Sequence, residues 1–141
     1  MGLEFKTDVN GDSQVIEASS IEIITESKTL SLDDSGTVFL VGTDAIVITL
    51  PTSQAGTKLT FINSGADGNN LITLSPVATD AIVGSIANAS ADSVSGGANG
   101  KDIVNTKSTA NKGDRITLVG DGTAGAGWYI TEGVGIWASQ A

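Results

Sequence analysis

Residues 37–62, TVFLVGTDAIVITLPTSQAGTKLTFI, contain three apolar runs of strand length, separated by two short connections. The β-branched residues of the middle run, Ile46, Val47, Ile48 and Thr49, fit a pleated sheet better than a helix. Pro51 has no backbone N–H to donate and therefore ends this strand. Gly56, in the connection that follows, can adopt the positive φ of a turn. The stretch predicts a meander of three sequential antiparallel strands.

Each predicted strand carries apolar residues two positions apart, which places them on one face of the sheet. These rows, with three residues from later strands, predict the core: Val38, Leu40, Ile46, Ile48, Leu50, Leu59, Phe61, Ile72, Ile116 and Leu118. Further short strands are predicted at residues 21–25, 29–32, 71–74, 82–86, 115–119 and 128–131. Residues 88–100 are small and polar and predict a loop or a weak edge strand around Val94. Sustained helical periodicity is absent from the sequence. The pattern predicts an all-β fold, either an antiparallel β-sandwich or a barrel.

The first thirteen residues differ from the rest in composition. They are acidic and have few apolar side chains, which predicts an extended N-terminal arm at residues 1–13 that does not pack on its own domain. Residues 14–141 are predicted to form a single all-β domain, since this length buries a core without disulfides.

Composition narrows the functional classes. The chain of 141 residues has no histidine and no cysteine, and its 16 acidic and 7 basic residues give a net charge of −9. Without imidazole or thiol groups, the usual zinc, haem and nucleophilic chemistries lack their ligands and bases, so we expect no enzymatic activity and no cofactor. The negative charge repels nucleic acid and anionic lipid, and neither is expected as a partner. The sequence shows no secretory signal and no apolar run of membrane-spanning length, so we expect synthesis in a cytoplasm.

Three local motifs have chemical and structural interpretations. Gly120, Gly122 and Gly125 have the GxGxxG spacing of a dinucleotide site, but residues 128–131 predict a strand where that site needs a helix, which favours a hairpin loop. Residues 8–12, DVNGD, resemble the start of a calcium loop, but serine occupies the sixth and twelfth positions, where glycine and a bidentate acid are required. We expect a solvated acidic turn there. The glycosylation sequon at residues 88–90 is interpreted as a chance match.

The large aromatic residues of the C-terminal segment are Trp128, Tyr129 and Trp137. Such residues anchor either a protein core or a subunit interface, and we predict a subunit interface for these three. Two of them could alternatively line a sugar-binding site.

Several strings of this sequence resemble a known class of protein. They are residues 34–41 (DSGTVFLV), 48–51 (ITLP), 55–56 (AG), 60–63 (TFIN), 113–119 (GDRITLV) and 127–130 (GWYI). Similar strings occur in small β-rich structural proteins of tailed bacteriophages, both in head decoration (cement) proteins and in distal fibre or receptor-binding modules. The resemblance covers residues 33–137 and leaves out the arm.

The resemblance implies a non-enzymatic capsid decoration protein, made in the cytoplasm of the host bacterium, that binds the major capsid protein on the outer surface of the virion head as a homotrimer. A chain that begins as a domain at its own Met1, rather than after a fibre shaft, favours the decoration protein over a tail or head fibre. The arm alternates Leu3, Phe5 and Val9 with polar residues, and these three are the predicted capsid-binding residues. The alternatives are a fibre receptor-binding module and a carbohydrate-binding module or glycosidase fragment.

Overall fold

The computed structural model describes the backbone of residues 3–7, 13–17, 20–87, 92–96, 98–123 and 127–140, and the side chains of residues 20–85, 98–123 and 127–140. The strands are β1 (Leu3–Thr7), β2 (Ser13–Glu17), β3 (Ser20–Ile24), β4 (Lys28–Thr29), β5 (Thr37–Val41), β6 (Ile46–Thr49), β7 (Lys58–Asn63), β8 (Ile72–Ser75), β9 (Ala81–Ala87), β10 (Asp92–Gly96), β11 (Ile103–Asn105), β12 (Arg115–Gly120), β13 (Gly127–Val134) and β14 (Ala138–Ser139). Two 3₁₀ turns, Leu32–Asp34 and Lys107–Thr109, interrupt them. The predicted all-β fold is confirmed. In the described part of the chain, no helix has the length and apolar character needed to cross a membrane.

The described strands form three sheets. The large sheet has the order β10-β9-β13-β12-β7-β5-β3, the small sheet has the order β14-β11-β8-β6-β4, and β1 and β2 form a separate two-stranded sheet. The segment around Val94 is β10, an edge strand of the large sheet, in agreement with one of its two predicted forms.

The chain alternates between the large and the small sheet from β3 to β8. Strands β3, β5 and β7 lie side by side in the large sheet and are parallel. Strands β4, β6 and β8 lie side by side in the small sheet and are also parallel. The predicted antiparallel meander over residues 37–62 is therefore wrong, and both sheets are mixed. Its connections at residues 42–45 and 50–57 carry the chain to the other sheet instead of reversing it within one sheet.

Buried side chains from both sheets form one hydrophobic cluster. Phe39 of β5 and Phe61 of β7 are paired in the parallel register and stack with ring centroids 5.4 Å apart and planes inclined by 15°. The cluster comprises Ile24, Leu30, Phe39, Val41, Ile46, Ile48, Leu50, Leu59, Phe61, Ile72, Leu74, Ile82, Ile103, Ile116, Leu118, Trp128 and Trp137. Because the two sheets supply a common core, neither sheet can keep its inner face buried alone.

The inward face predicted for strand β5 was wrong. Phe39 and Val41 are fully buried, whereas the predicted core residues Val38 and Leu40 are only half-buried. Four of the five β5 residues are apolar, so a period of two does not show which row faces inward. The stacking of Phe39 on Phe61 fixes the inward row.

Candidate functional site

Four buried polar side chains form what we call the asparagine network: Asn63, Asn70, Asn105 and Asp114. Asn63 is the last residue of β7 in the large sheet, and Asn105 is the last residue of β11 in the small sheet. Asn70 lies before β8, and Asp114 immediately precedes β12. The network therefore collects residues from the ends of strands in both sheets.

Each amide of the network donates a hydrogen bond to the next member. Asn70 Nδ2 lies 3.4 Å from Asn63 Oδ1, Asn63 Nδ2 lies 2.7 Å from Asn105 Oδ1, and Asn105 Nδ2 lies 3.0 Å from Asp114 Oδ2. The bond from Asn63 to Asn105 joins the two sheets directly. A buried amide without a partner would destabilise the fold by about 1–3 kcal/mol. The hydrogen bonds of the asparagine network avoid this cost at the ends of these strands.

The asparagine network also holds the adjacent loops. Asn63 Oδ1 accepts a bond from Gly65 N at 3.0 Å, Asp114 Oδ2 accepts one from Asn111 N at 2.9 Å, and Asn105 Nδ2 donates to Ile136 O at 3.0 Å. Because these donors and acceptors bond to one another and to the backbone, the arrangement positions loops. We assign it a structural role.

The sequence contains one signal for the asparagine network. Asn63 continues the buried row of Leu59 and Phe61 at the same two-residue spacing, and Asn105 continues the row begun by Ile103. A polar residue at the inward phase of a strand must find a partner. The sequence does not reveal which partner, because Asn63 and Asn105 lie on different sheets and 42 residues apart.

The GxGxxG motif connects β12 and β13, which pair antiparallel. Gly120 N donates to Thr57 O at 2.8 Å, and Gly122 N donates to Ser53 Oγ at 3.0 Å. Glycine N–H groups that bond inside the protein are not turned outward to hold a phosphate. The strand that follows confirms the predicted hairpin, although Gly125 lies outside the described residues.

Ser53 links this hairpin to a buried carboxylate. Its N–H donates to Asp80 Oδ2 at 2.8 Å, and its hydroxyl donates to the carbonyl oxygen of Gly127. Both Ser53 and Asp80 are buried. The hydroxyl of Ser53 donates to a backbone carbonyl, and Asp80 accepts from the backbone N–H and not from this hydroxyl, so the cluster holds loops together.

Two of the three ion pairs in the described part of the chain connect separate parts of the surface. Asp44 Oδ2 accepts a bond from Lys107 Nζ at 2.6 Å, and its other oxygen accepts bonds from the N–H groups of Leu71 and Ala45. The bond from Lys107 lowers the pKa of Asp44, with smaller contributions from these backbone donors. Lys28 Nζ lies 2.7 Å from Glu22 Oε2, and this bond raises the pKa of Lys28.

The structure separates the three aromatic residues predicted at a subunit interface. Trp128 and Trp137 are fully buried in the core of the single chain, whereas Tyr129 is 43% exposed. Trp137 Nε1 donates to Val134 O at 3.0 Å. Trp128 and Trp137 therefore belong to the core, and a role at a subunit interface stays a prediction for Tyr129. The two tryptophans cannot line a sugar site, because their rings do not reach the surface.

The other sequence-predicted positions lie at or beyond the limits of the described side chains. Leu3 and Phe5 belong to β1, where they pair in register with Glu17 and Val15 of β2. Val9, the calcium-like turn at residues 8–12 and the sequon at residues 88–90 are outside the described residues. The side chains that are described contain no group of three carboxylates, histidines or cysteines arranged to hold a metal ion.

The exposed hydrophobic side chains of the described chain concentrate on β3. Ile21 and Ile23 are 68% and 71% exposed, more than the other large hydrophobic residues of the described chain. They lie two positions apart and so face the same side of the edge strand. The sequence alone does not reveal this surface, since a half-exposed strand and a buried one can share the same apolar pattern.

Comparison with known proteins gives no assignment. No protein-family model matches the sequence, and no curated protein matches it.

Proposed function

We propose that this protein is a capsid decoration (cement) protein of a tailed bacteriophage, which binds the outer surface of the head shell and stabilises it without catalysing a reaction. The observation that carries the proposal is the N-terminal sheet. Strands β1 and β2 pair with each other and, among the described strands, with no member of the large or the small sheet. A two-stranded sheet is marginally stable alone, so such a segment suits attachment to a partner that completes it.

The residues that resemble phage structural proteins support the proposal at the level of the fold. Residues 37–41 are β5, residues 60–63 end β7, and residues 115–119 lie in β12. The strings also include Asn63 and Asp114 of the asparagine network. The resemblance thus concerns residues that build the core, and extending it to a virion role is an argument by analogy.

Attachment in this proposal uses the apolar residues of the N-terminal segment. Leu3, Phe5 and Val9 bury their side chains against the major capsid protein, while the acidic residues face basic groups of the shell. Burying these three side chains contributes about 5 kcal/mol, and the entropy lost on ordering the segment offsets part of this gain, so one copy binds weakly. A homotrimer presents three such segments, and their linkage raises the overall affinity by multivalency.

The test is a substitution in the full-length chain. Phe5→Asp should leave the circular dichroism and the melting temperature of the β domain unchanged and reduce binding to heads stripped of the protein by at least about tenfold, since one large apolar contact is worth roughly 2 kcal/mol. Gln14→Asp is the matched control, because it adds the same charge at a polar position of β2.

Full occupancy of the heads by the Phe5→Asp protein would refute attachment through this segment. A cryo-electron map of the particle tests the location itself. Copies at the tail tip would instead indicate the fibre receptor-binding module, and binding of the isolated protein to glycans would indicate the carbohydrate-binding module.

A further inference from the structure

The four edges of the two main sheets are not equally protected against pairing with another chain. In the small sheet, the edge strands β4 and β14 have two residues each. In the large sheet, β10 has the polar sequence DSVSG, whereas β3 has the sequence SIEII over five residues. Proteins usually protect an edge with a short strand, a proline, a bulge or a charged side chain, and of these β3 has only Glu22, whose charge is paired with Lys28. Of the described strands, only β5 pairs with β3.

The exposed row of β3 continues across its neighbours. In the parallel register, Ile21 is beside Val38 and Ile23 is beside Leu40 of β5, and Leu40 is beside Ile62 of β7. Since Phe39 and Phe61 face the core from the alternate positions, these five residues share the outer face of the sheet. We call them the β3 patch. A contiguous apolar patch that begins at an unpaired edge is typical of a protein–protein contact.

We propose that the β3 edge pairs antiparallel with the β3 edge of a second copy of this chain, around a twofold axis at Glu22. The sequence of β3 is self-complementary in this register, because Ile21 of each copy is opposite Ile23 of the other and both pairs lie on the outer face. The pairing satisfies the free backbone groups of both edges and joins the two patches into one. A twofold contact of this kind uses the same surface on both copies and closes on itself.

The charges at the twofold axis support a second copy as the occupant. Two Glu22 side chains would face each other there and repel. Each, however, has its own counter-ion, since Lys28 Nζ contacts both Glu22 carboxylate oxygens at 2.8 and 2.7 Å. Each Glu22–Lys28 pair is neutral, which weakens the repulsion between the two Glu22 carboxylates in a chain whose net charge is −9. Asp33 and Asp34 lie beside Ser20, Ile21 and Glu22 and add negative charge at the rim of the contact.

This contact is independent of the proposed virion role. It can also coexist with the threefold contact of the proposed homotrimer, because a twofold contact between two trimers gives a hexamer. An assembly that contains it has an even number of copies, and loss of the contact halves the mass of that assembly.

The register is tested by disulfide formation. The native chain has no cysteine, so Glu22→Cys introduces a single thiol per copy. Directly opposite residues of an antiparallel pair have Cα atoms about 4.5–5.5 Å apart, within the range that a disulfide spans. Mild oxidation should therefore convert the Glu22→Cys protein into a covalent dimer. Val47→Cys, in a 41% exposed position on β6 of the small sheet, should stay monomeric on a denaturing gel. Absence of the Glu22→Cys dimer, or equal dimer from Val47→Cys, overturns the proposal.

The patch is tested by assembly mass. The double variant Ile21→Lys, Ile23→Lys should keep the wild-type circular dichroism, because both side chains are largely exposed, and should have half the wild-type mass in sedimentation equilibrium. Val47→Lys should have the wild-type mass. A wild-type protein that is monomeric or trimeric at high concentration overturns the proposal. So does a double variant that keeps the wild-type mass, or one that loses binding to capsids while its mass is unchanged, since the patch would then face the shell.

Discussion

At the scale of single residues, the asparagine network depends on a position without a side chain. Gly135 has φ +93°, and a Cβ built there would lie 2.2 Å from Cγ of Asp114. Asp114 cannot move away freely, because it is buried and accepts bonds from Asn105 Nδ2 and Asn111 N. Only glycine therefore allows the chain to pass the buried carboxylate at this point.

We predict that Gly135→Ala lowers the free energy of unfolding by at least about 3 kcal/mol, since strain in the left-handed region costs about 1–2 kcal/mol and the displaced carboxylate leaves buried donors without a partner. Gly56→Ala is the matched control. Gly56 has φ +85° with no atom within 4 Å of an added Cβ, so only the strain of about 1–2 kcal/mol is expected there. Urea denaturation of both variants measures the difference. Equal losses would show that Asp114 is not held in place.

At the scale of strands, β6 provides adjacent residues with opposite environments. Ile48 is fully buried, and its neighbour Val47 is 41% exposed on the other face. We predict that Ile48→Asp unfolds the domain, because an unpaired buried carboxylate costs several kcal/mol, about half the stability of a typical domain. Val47→Asp introduces the same group on the outer face and should leave the melting temperature within a few degrees of wild type. Thermal unfolding followed by circular dichroism checks both, and an unchanged melting temperature for Ile48→Asp would contradict the assigned inward face.

The same strand shows what the sequence can predict and what it cannot. The predicted inward row of β6 is confirmed, since Ile46 and Ile48 are buried while Val47 and Thr49 are not. Alternation does not fix the neighbouring strand. Strand β6 pairs with β4 and β8 of the small sheet and not with β5, although β5 is closest in sequence. The direction of pairing depends on where the connections lead, and their composition of Gly, Thr, Asp and Pro is shared by hairpin turns and by crossings between sheets.

The candidate sites could be predicted from the sequence only where their residues are close together in the chain. The hairpin at the GxGxxG motif was predictable because its flanking strands are local in sequence. The asparagine network and the β3 patch were not, since each depends on residues brought together from distant strands. Ile21 and Ile23 look like core residues in the sequence, and only the position of β3 at the edge of the large sheet exposes them.

At the scale of the whole molecule, the net charge of −9 acts on the two proposed contacts in opposite ways. Two copies that approach through the β3 edge repel each other, although the contact itself is apolar and each Glu22 is paired with Lys28. In the proposed virion role, basic groups on the shell attract the acidic residues of the N-terminal segment. Salt screens both effects, since the screening length falls from about 10 Å at 0.1 M to about 3 Å at 1 M.

We therefore predict opposite salt dependences. Raising sodium chloride from roughly 0.1 M to roughly 1 M should strengthen self-association in sedimentation experiments, because repulsion between copies is screened, and should weaken binding to stripped heads in a pelleting assay, because attraction to the shell is screened. The Ile21→Lys, Ile23→Lys variant separates the two contacts, since it should show the weakened head binding without any association to strengthen. Head binding that rises with salt would mean that the shell contact is apolar and that the acidic residues of the segment do not face basic groups. Self-association that falls with salt would mean that ion pairs between copies, and not the β3 patch, hold the assembly together.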